Sequence, residues 1–220
     1  MKIRILFISI ILSLLFINAK AGENSILDVK DNDFYIGEEN APITIIEYAS
    51  MSCSHCADFH NDTLAELKKE FIDTGKVKFI FRDFPFNYPA LAGSMILRCV
   101  PDEVRYDYMN GLYKLQNNWV NRDHSKTKSE LYKIMQSGGM QQEDFDACLS
   151  NVELENQLLE GVMEAQREYK IGSTPSFIIK GVLYSGNKNI KEFRHVSYTH
   201  LRDHETREDR GCRRVGVKKK

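Results

Sequence analysis

Apolar and polar positions divide the chain into clear segments. Residues Ile43-Thr-Ile-Ile-Glu-Tyr-Ala-Ser50 are β-branched and mostly apolar, the pattern of a strand buried on both faces. Pro42 precedes them, where a missing N–H does least harm. From Cys56 to Asp73 the apolar residues fall at helical spacing, Phe59, Thr63, Leu67 and Phe71 with Leu64 and Ile72, and Gly75 follows as a stop. Val77 to Phe84 predicts a second strand, ended by Pro85. The opening order is therefore strand, helix, strand.

Residues 88 to 171 predict helices almost throughout. One stripe runs through Leu91, Met95 and Cys99, and a second through Val104, Tyr108, Leu112, Leu115 and Trp119. A third runs through Leu131, Ile134 and Met135, closed by Gly138-Gly139, and a short fourth holds Phe145, Cys148 and Leu149. A long fifth holds Leu154, Leu158, Val162, Ala165 and Tyr169. These stripes predict core-facing surfaces. Strand character returns at Ser176 to Lys180 and Val182 to Tyr184, joined at Gly181 as a hairpin. Asn189 to Phe193 looks like the start of a closing helix.

The two ends differ from this body. Lys2 and Arg4 precede thirteen mostly apolar residues, Ile5 to Ile17, and Ala19-Lys20-Ala21 offers the small residues a signal peptidase reads. Residues 1–21 thus read as a secretory signal, too short in its apolar run to span a bilayer. A signal implies a periplasmic or secreted protein, in a compartment where disulfides persist. At His195 the composition changes abruptly. The stretch HVSYTHLRDHETREDRGCRRVGVKKK is basic, apolar-poor and without a helical stripe, and its first residues resemble translated sequencing adapter. Residues 195–220 read as a non-native tail. Between the ends, Gly22 to Arg194 holds 19 basic and 27 acidic residues, a net charge of −8. That speaks against nucleic acid as a partner, which needs a basic face.

The chemistry lies in the cysteines. Cys53-Ser54-His55-Cys56 falls where a strand hands over to a helix. A thiolate at a helix N-terminus meets unpaired N–H groups and the positive end of the macrodipole, and both lower its pKa. Cys53 reads as the nucleophile, Cys56 as the resolving thiol one turn on, and His55 as an adjacent donor or positive charge. Stabilising the thiolate makes the disulfide form a stronger oxidant. The same cysteines with His55 could instead begin a copper or zinc site, but a closed site needs four ligands and no second such pair stands in the body. No cofactor beyond the redox-active disulfide is called for. His60 and His124 read as solvent-facing.

Three stretches together carry a family resemblance: Asn40 to Tyr48, Cys53-Ser-His-Cys56, and Gly172-Ser-Thr-Pro-Ser-Phe177. They resemble the DsbA-like thiol–disulfide oxidoreductases over about Phe34 to Phe193. The resemblance implies an α/β thioredoxin fold, residues 22–87 and 172–194, with a helical insertion at 88–171. It implies a cis bond at Thr174-Pro175, packed beside the disulfide. It implies that Glu47 is a buried acid serving the resolving cysteine, since loss of water lets a carboxyl hold and return a proton. Relatives with a second disulfide in the insertion imply pairing of Cys99 with Cys148. Closing that loop is worth roughly 4 kcal/mol in the chain-entropy model. The partners implied are unfolded exported proteins with free thiols and a membrane quinone reductase of the DsbB kind. Disulfide isomerases of this fold carry a dimerisation domain, and the residues between the signal and the first strand are too few for one. A monomeric oxidase is expected, with an isomerase or reductase as the alternative. Ser54 departs from the family, whose best-known members have proline there.

Overall fold

The structure is a computed structural model that describes residues 29, 30 and 33–195. The expected signal, all but the first residue of the expected tail, and Cys212 lie outside the described residues. Five strands form one mixed sheet: β1 (Phe34–Ile36), β2 (Ile43–Ala49), β3 (Val77–Asp83), β4 (Ser176–Ile179) and β5 (Val182–Ser185), in spatial order β1-β3-β2-β4-β5. β2 and β3 are parallel, while β1, β4 and β5 each run antiparallel to a neighbour. β2 is central, which is why it reads as nearly continuous apolar sequence. Ile43 and Ile45 enter the larger core, and Ile46 and Tyr48 enter a smaller core on the opposite face.

A helical run, α1, connects β2 to β3. It alternates α-helical Ser54–Asp58 and Leu64–Leu67 with π-helical turns at Phe59–Thr63 and Lys68–Ile72. The strict four-residue spacing of Phe59, Thr63, Leu67 and Phe71 accounts for this. An ideal α-helix has 3.6 residues per turn, so such a stripe would wind away from the core, and the wider turns hold it in place. All four are buried.

The helical block follows β3 as α2 (Tyr88–Cys99), α3 (Asp102–Lys114), α4 (Gln116–Trp119), α5 (His124–Ser137), α6 (Gln142–Leu149) and α7 (Val152–Tyr169). One helix expected through Trp119 is in fact two, broken at Leu115. The break lets Trp119 bury fully, its Nε1–H donating to the Leu112 carbonyl at 2.9 Å, and turns Gln116 inward. α7 covers the smaller core through Ala165, with Val162 and Tyr169 packed beside it.

β1 was not anticipated; three residues are too few to show a period of two. Gly37, with φ +98°, lets the chain pass so close to β3 that a Cβ there would lie 2.5 Å from the Val77 carbonyl oxygen. The β4–β5 hairpin turns on Lys180 and Gly181, both at positive φ as a two-residue turn requires. A helix covers 190–195. Asn189 Oδ1 accepts from the Lys191 and Glu192 N–H groups while Glu192 reaches back to the Asn189 N–H, a capping box. Phe193 packs against Phe59 and Phe177.

Candidate active site

The turn after β2 is drawn tight by hydrogen bonds from Cys53 N–H to the Ser50 carbonyl and from Ala57 N–H to the Cys53 carbonyl. Cys53 is the N-cap of α1, half-buried, and Cys56 is buried; both are free thiols. Thr174-Pro175 is cis, and the Thr174 carbonyl oxygen lies 3.3 Å from Cys53 Sγ. The strand–helix junction and the approach to β4 thus meet at one sulfur.

The two thiols are electrostatically opposite. Cys53 is brought down to about 5, first by a hydrogen bond from the Cys56 side chain, against the opposing effect of burial. The Thr174 side chain and the backbone N–H groups of Cys56 and His55 add to the lowering. The two backbone N–H groups are the unpaired donors of a helix start, and they favour the anion. The Thr174 carbonyl can only accept, so it favours the thiol, but the donors outweigh it. Cys56 is pushed far up, chiefly by burial, then by its hydrogen bond with Cys53 and the nearby charge of Glu47.

The His55 side chain does not sit beside the thiolate. It is 72% exposed, with Nδ1 3.4 Å from Asp58 Oδ2, and what residue 55 offers the sulfur is its backbone N–H. Glu47 is fully buried on the larger-core side of β2, facing α1. The expectation that His60 faces solvent is overturned: its side chain is 1% exposed and Nε2 lies 3.0 Å from Glu47 Oε2. His60 stands four residues after Cys56 and four before Leu64, on the buried face of α1, and a carboxyl buried in a central strand needs a polar partner. The His60 ring also stacks on Tyr113 at 4.1 Å. His124 is exposed, stacked on Tyr88.

Gln116 was not anticipated either. Its Nε2 donates to the Met51 carbonyl at 2.9 Å and to the Cys53 carbonyl at 3.0 Å, so the helical block grips the reactive turn directly. No pattern of spacing marks it. In the same block Cys99 and Cys148 form a disulfide, joining the end of α2 to α6. Among the described residues no three His, Cys, Asp or Glu side chains are grouped to hold a metal ion, and no helix is long and apolar enough to cross a membrane.

A central β-α-β unit with a dithiol at its helix start and a proline leading into the next strand is the arrangement of the thioredoxin fold. A family profile described as thioredoxin matches residues 29–196, and the chain belongs to that family. Within it the chain is DsbA-like. It is similar to the crystal structure of Wolbachia pipientis alpha-DsbA1, with 27% identity, a TM-score of 0.77, and coverage of 83% of this chain and 96% of that one. A putative protein-disulfide oxidoreductase of Rickettsia conorii is 30% identical over 163 residues, 74% of this chain and 58% of the relative. Disulfide bond formation protein D of Bacillus subtilis is 26% identical, over 72% of this chain and 69% of that protein. The chain thus spans little more than half the length of the Rickettsia relative.

Proposed function

We propose that the chain is an exported thiol–disulfide oxidoreductase that oxidises paired cysteines in folding proteins. The observation that carries this reading is the contrast between an accessible thiol brought down to about 5 and a buried partner pushed far up. A client thiolate attacks the Cys53 sulfur of the Cys53–Cys56 disulfide. The bond between the two cysteines breaks, and Cys56 leaves and takes a proton. The client's second thiolate then attacks its own sulfur in the mixed disulfide, and Cys53 leaves as a stable thiolate. Two electrons pass from client to enzyme, and a membrane quinone reductase of the DsbB kind restores the disulfide. Cys53 is the attacked sulfur, Cys56 its partner, Thr174 and Pro175 the wall against which client chain lies, and Glu47 the proton holder for Cys56. The thioredoxin-fold domain is 22–87 with 172–194, and 88–171 is the helical insertion.

Dithiol thermodynamics supports the oxidising direction. Whatever stabilises the Cys53 thiolate stabilises the reduced enzyme, and so makes its disulfide a stronger oxidant. The test is the Cys53–Cys56 potential measured against glutathione. An oxidase is expected nearer the ~−120 mV of DsbA than the ~−270 mV of thioredoxin. A value at the thioredoxin end would assign the chain to reduction.

A further inference from the structure

Beneath the dithiol, two buried polar atoms, Glu47 Oε1 and His60 Nδ1, have no hydrogen-bond partner among the described residues. The other oxygen and the other ring nitrogen bond each other at 3.0 Å. His60 also lines a cavity of about 30 Å³, shared with Asp83, Arg98, Arg105 and Tyr113. That volume is enough for a water molecule. The Asp83 and Arg98 side chains, paired to each other, are each 18% exposed, so the cavity's far wall meets solvent. Cys56, Glu47, His60 and this cavity form one series from buried sulfur to surface.

We propose that His60 is a positioning residue that passes protons between Glu47 and water in this cavity, recharging the carboxyl each time it protonates Cys56. The inference rests on the exchange reaction proposed above. When the disulfide opens, the Cys56 sulfur leaves as a thiolate in a site that water does not reach. It takes the proton of the Glu47 carboxyl. Glu47 then takes the Nε2 proton of His60, and Nδ1 accepts one from the cavity water. The ring returns by tautomer exchange, the net uptake is one proton from solvent, and no electrons move through the relay. The imidazole suits this because one nitrogen can give while the other receives.

The experiment follows reduction of the Cys53–Cys56 disulfide by dithiothreitol, in wild type, Glu47→Gln, His60→Gln and the double variant, across pH. Glu47→Gln is expected to slow opening about a hundredfold, within the range for a lost general acid. His60→Gln keeps a hydrogen-bond donor but cannot relay, and should slow it about tenfold, with little further loss in the double variant. The deficit should grow as pH rises and solvent protons become scarce. The groups facing the ring are Glu47 of β2, Cys56 of α1, Arg82 and Asp83 of β3, Arg98 of α2, and Arg105 and Tyr113 of α3. The arginines stay charged throughout, and burial holds the Tyr113 phenol protonated. Imidazole added to His60→Ala should restore part of the rate. A wild type that does not exchange with dithiothreitol would overturn the oxidoreductase reading and the relay with it. A normal wild type beside a His60→Gln deficit that is absent, independent of pH, or additive with Glu47→Gln would overturn the relay alone. So would variants at residue 60 that do not fold, since the ring would then be structural.

Discussion

Cys53 and Cys56 stand three residues apart and are free thiols; Cys99 and Cys148 stand 49 apart and are bonded. The first pair sits at a strand–helix junction, where backbone donors stabilise one thiolate and burial suppresses the other. The second pair joins the end of one helix to another within the helical block, and a bond there restricts a long loop in the unfolded chain. Local backbone geometry, more than the sulfur itself, decides whether a cysteine pair is reactive or architectural.

The sharpest way to break this contrast is to exchange the two losses. Cys53→Ser should abolish thiol–disulfide exchange, measured with a reduced dithiol peptide, and leave folding intact. Replacing both Cys99 and Cys148 with alanine should do the reverse. It should cost roughly 4 kcal/mol of stability, read by urea unfolding, with exchange per folded molecule retained. If the double alanine variant lost exchange at full stability, the helical disulfide would belong to the reaction.

Ionisation distinguishes the pairs more gently. The folded Cys53 thiol lies near 5, below the ordinary thiol value of about 8.5. A depressed group stabilises the fold fully above its unfolded pKa, and that contribution is lost as pH falls through the folded one. The dithiol form should therefore lose stability relative to the disulfide form as pH drops from about 8.5 to 5. Cys56 adds little in this window, since it stays protonated when folded and, unfolded, ionises only at the upper end of the range. Thermal unfolding of both forms across that range checks the sign. A dithiol form that gained stability on acidification would contradict it.

Gln116 joins the two regions. Gln116→Leu would leave the carbonyls of Met51 and Cys53, now bonded to its amide, without that donor. The Cys53 carbonyl keeps the Ala57 N–H, whereas stranding a buried acceptor such as the Met51 carbonyl costs about 1 to 3 kcal/mol, less where the backbone relaxes. Loss of stability together with slower exchange is expected, because the same amide holds the reactive turn. Lost stability with unchanged exchange would show that the turn positions itself.

How much of this was legible in the sequence depended on the range of the interaction. The strand at 43–49 and the hairpin at Gly181 could be read because burial and turn geometry impose patterns on neighbouring residues. β1 could not be read, since it is held by pairing with β3 far along the chain and by the close approach at Gly37. Cys53 and Cys56 were legible from spacing, and the placing of Glu47 came from family resemblance. His60 reads as solvent-facing only if its polarity is weighed above its position, since it stands four residues from both Cys56 and Leu64, on the buried face of the helix. A signal did exist: an acid inside a buried strand requires a partner, and the first turns of the next helix are the nearest source. For Gln116 there was none, because its bonds span more than sixty residues.

The smallest expected effect is at His55. The sequence suggested that its imidazole stabilises the Cys53 thiolate by proximity. In the structure the ring is mostly in water beside Asp58, and the contribution of residue 55 is a main-chain N–H. An imidazolium in that setting is screened by solvent and partly neutralised by the neighbouring carboxylate, so its field at the sulfur is weak. His55→Ala keeps the N–H and the helical backbone. It should move the Cys53 midpoint by less than about half a pH unit, or under about 0.7 kcal/mol. Ultraviolet thiolate absorbance across pH, in wild type and variant, gives the two midpoints directly. A rise of a full unit or more would place the ring's charge on the sulfur after all and make the side chain part of the dithiol's tuning.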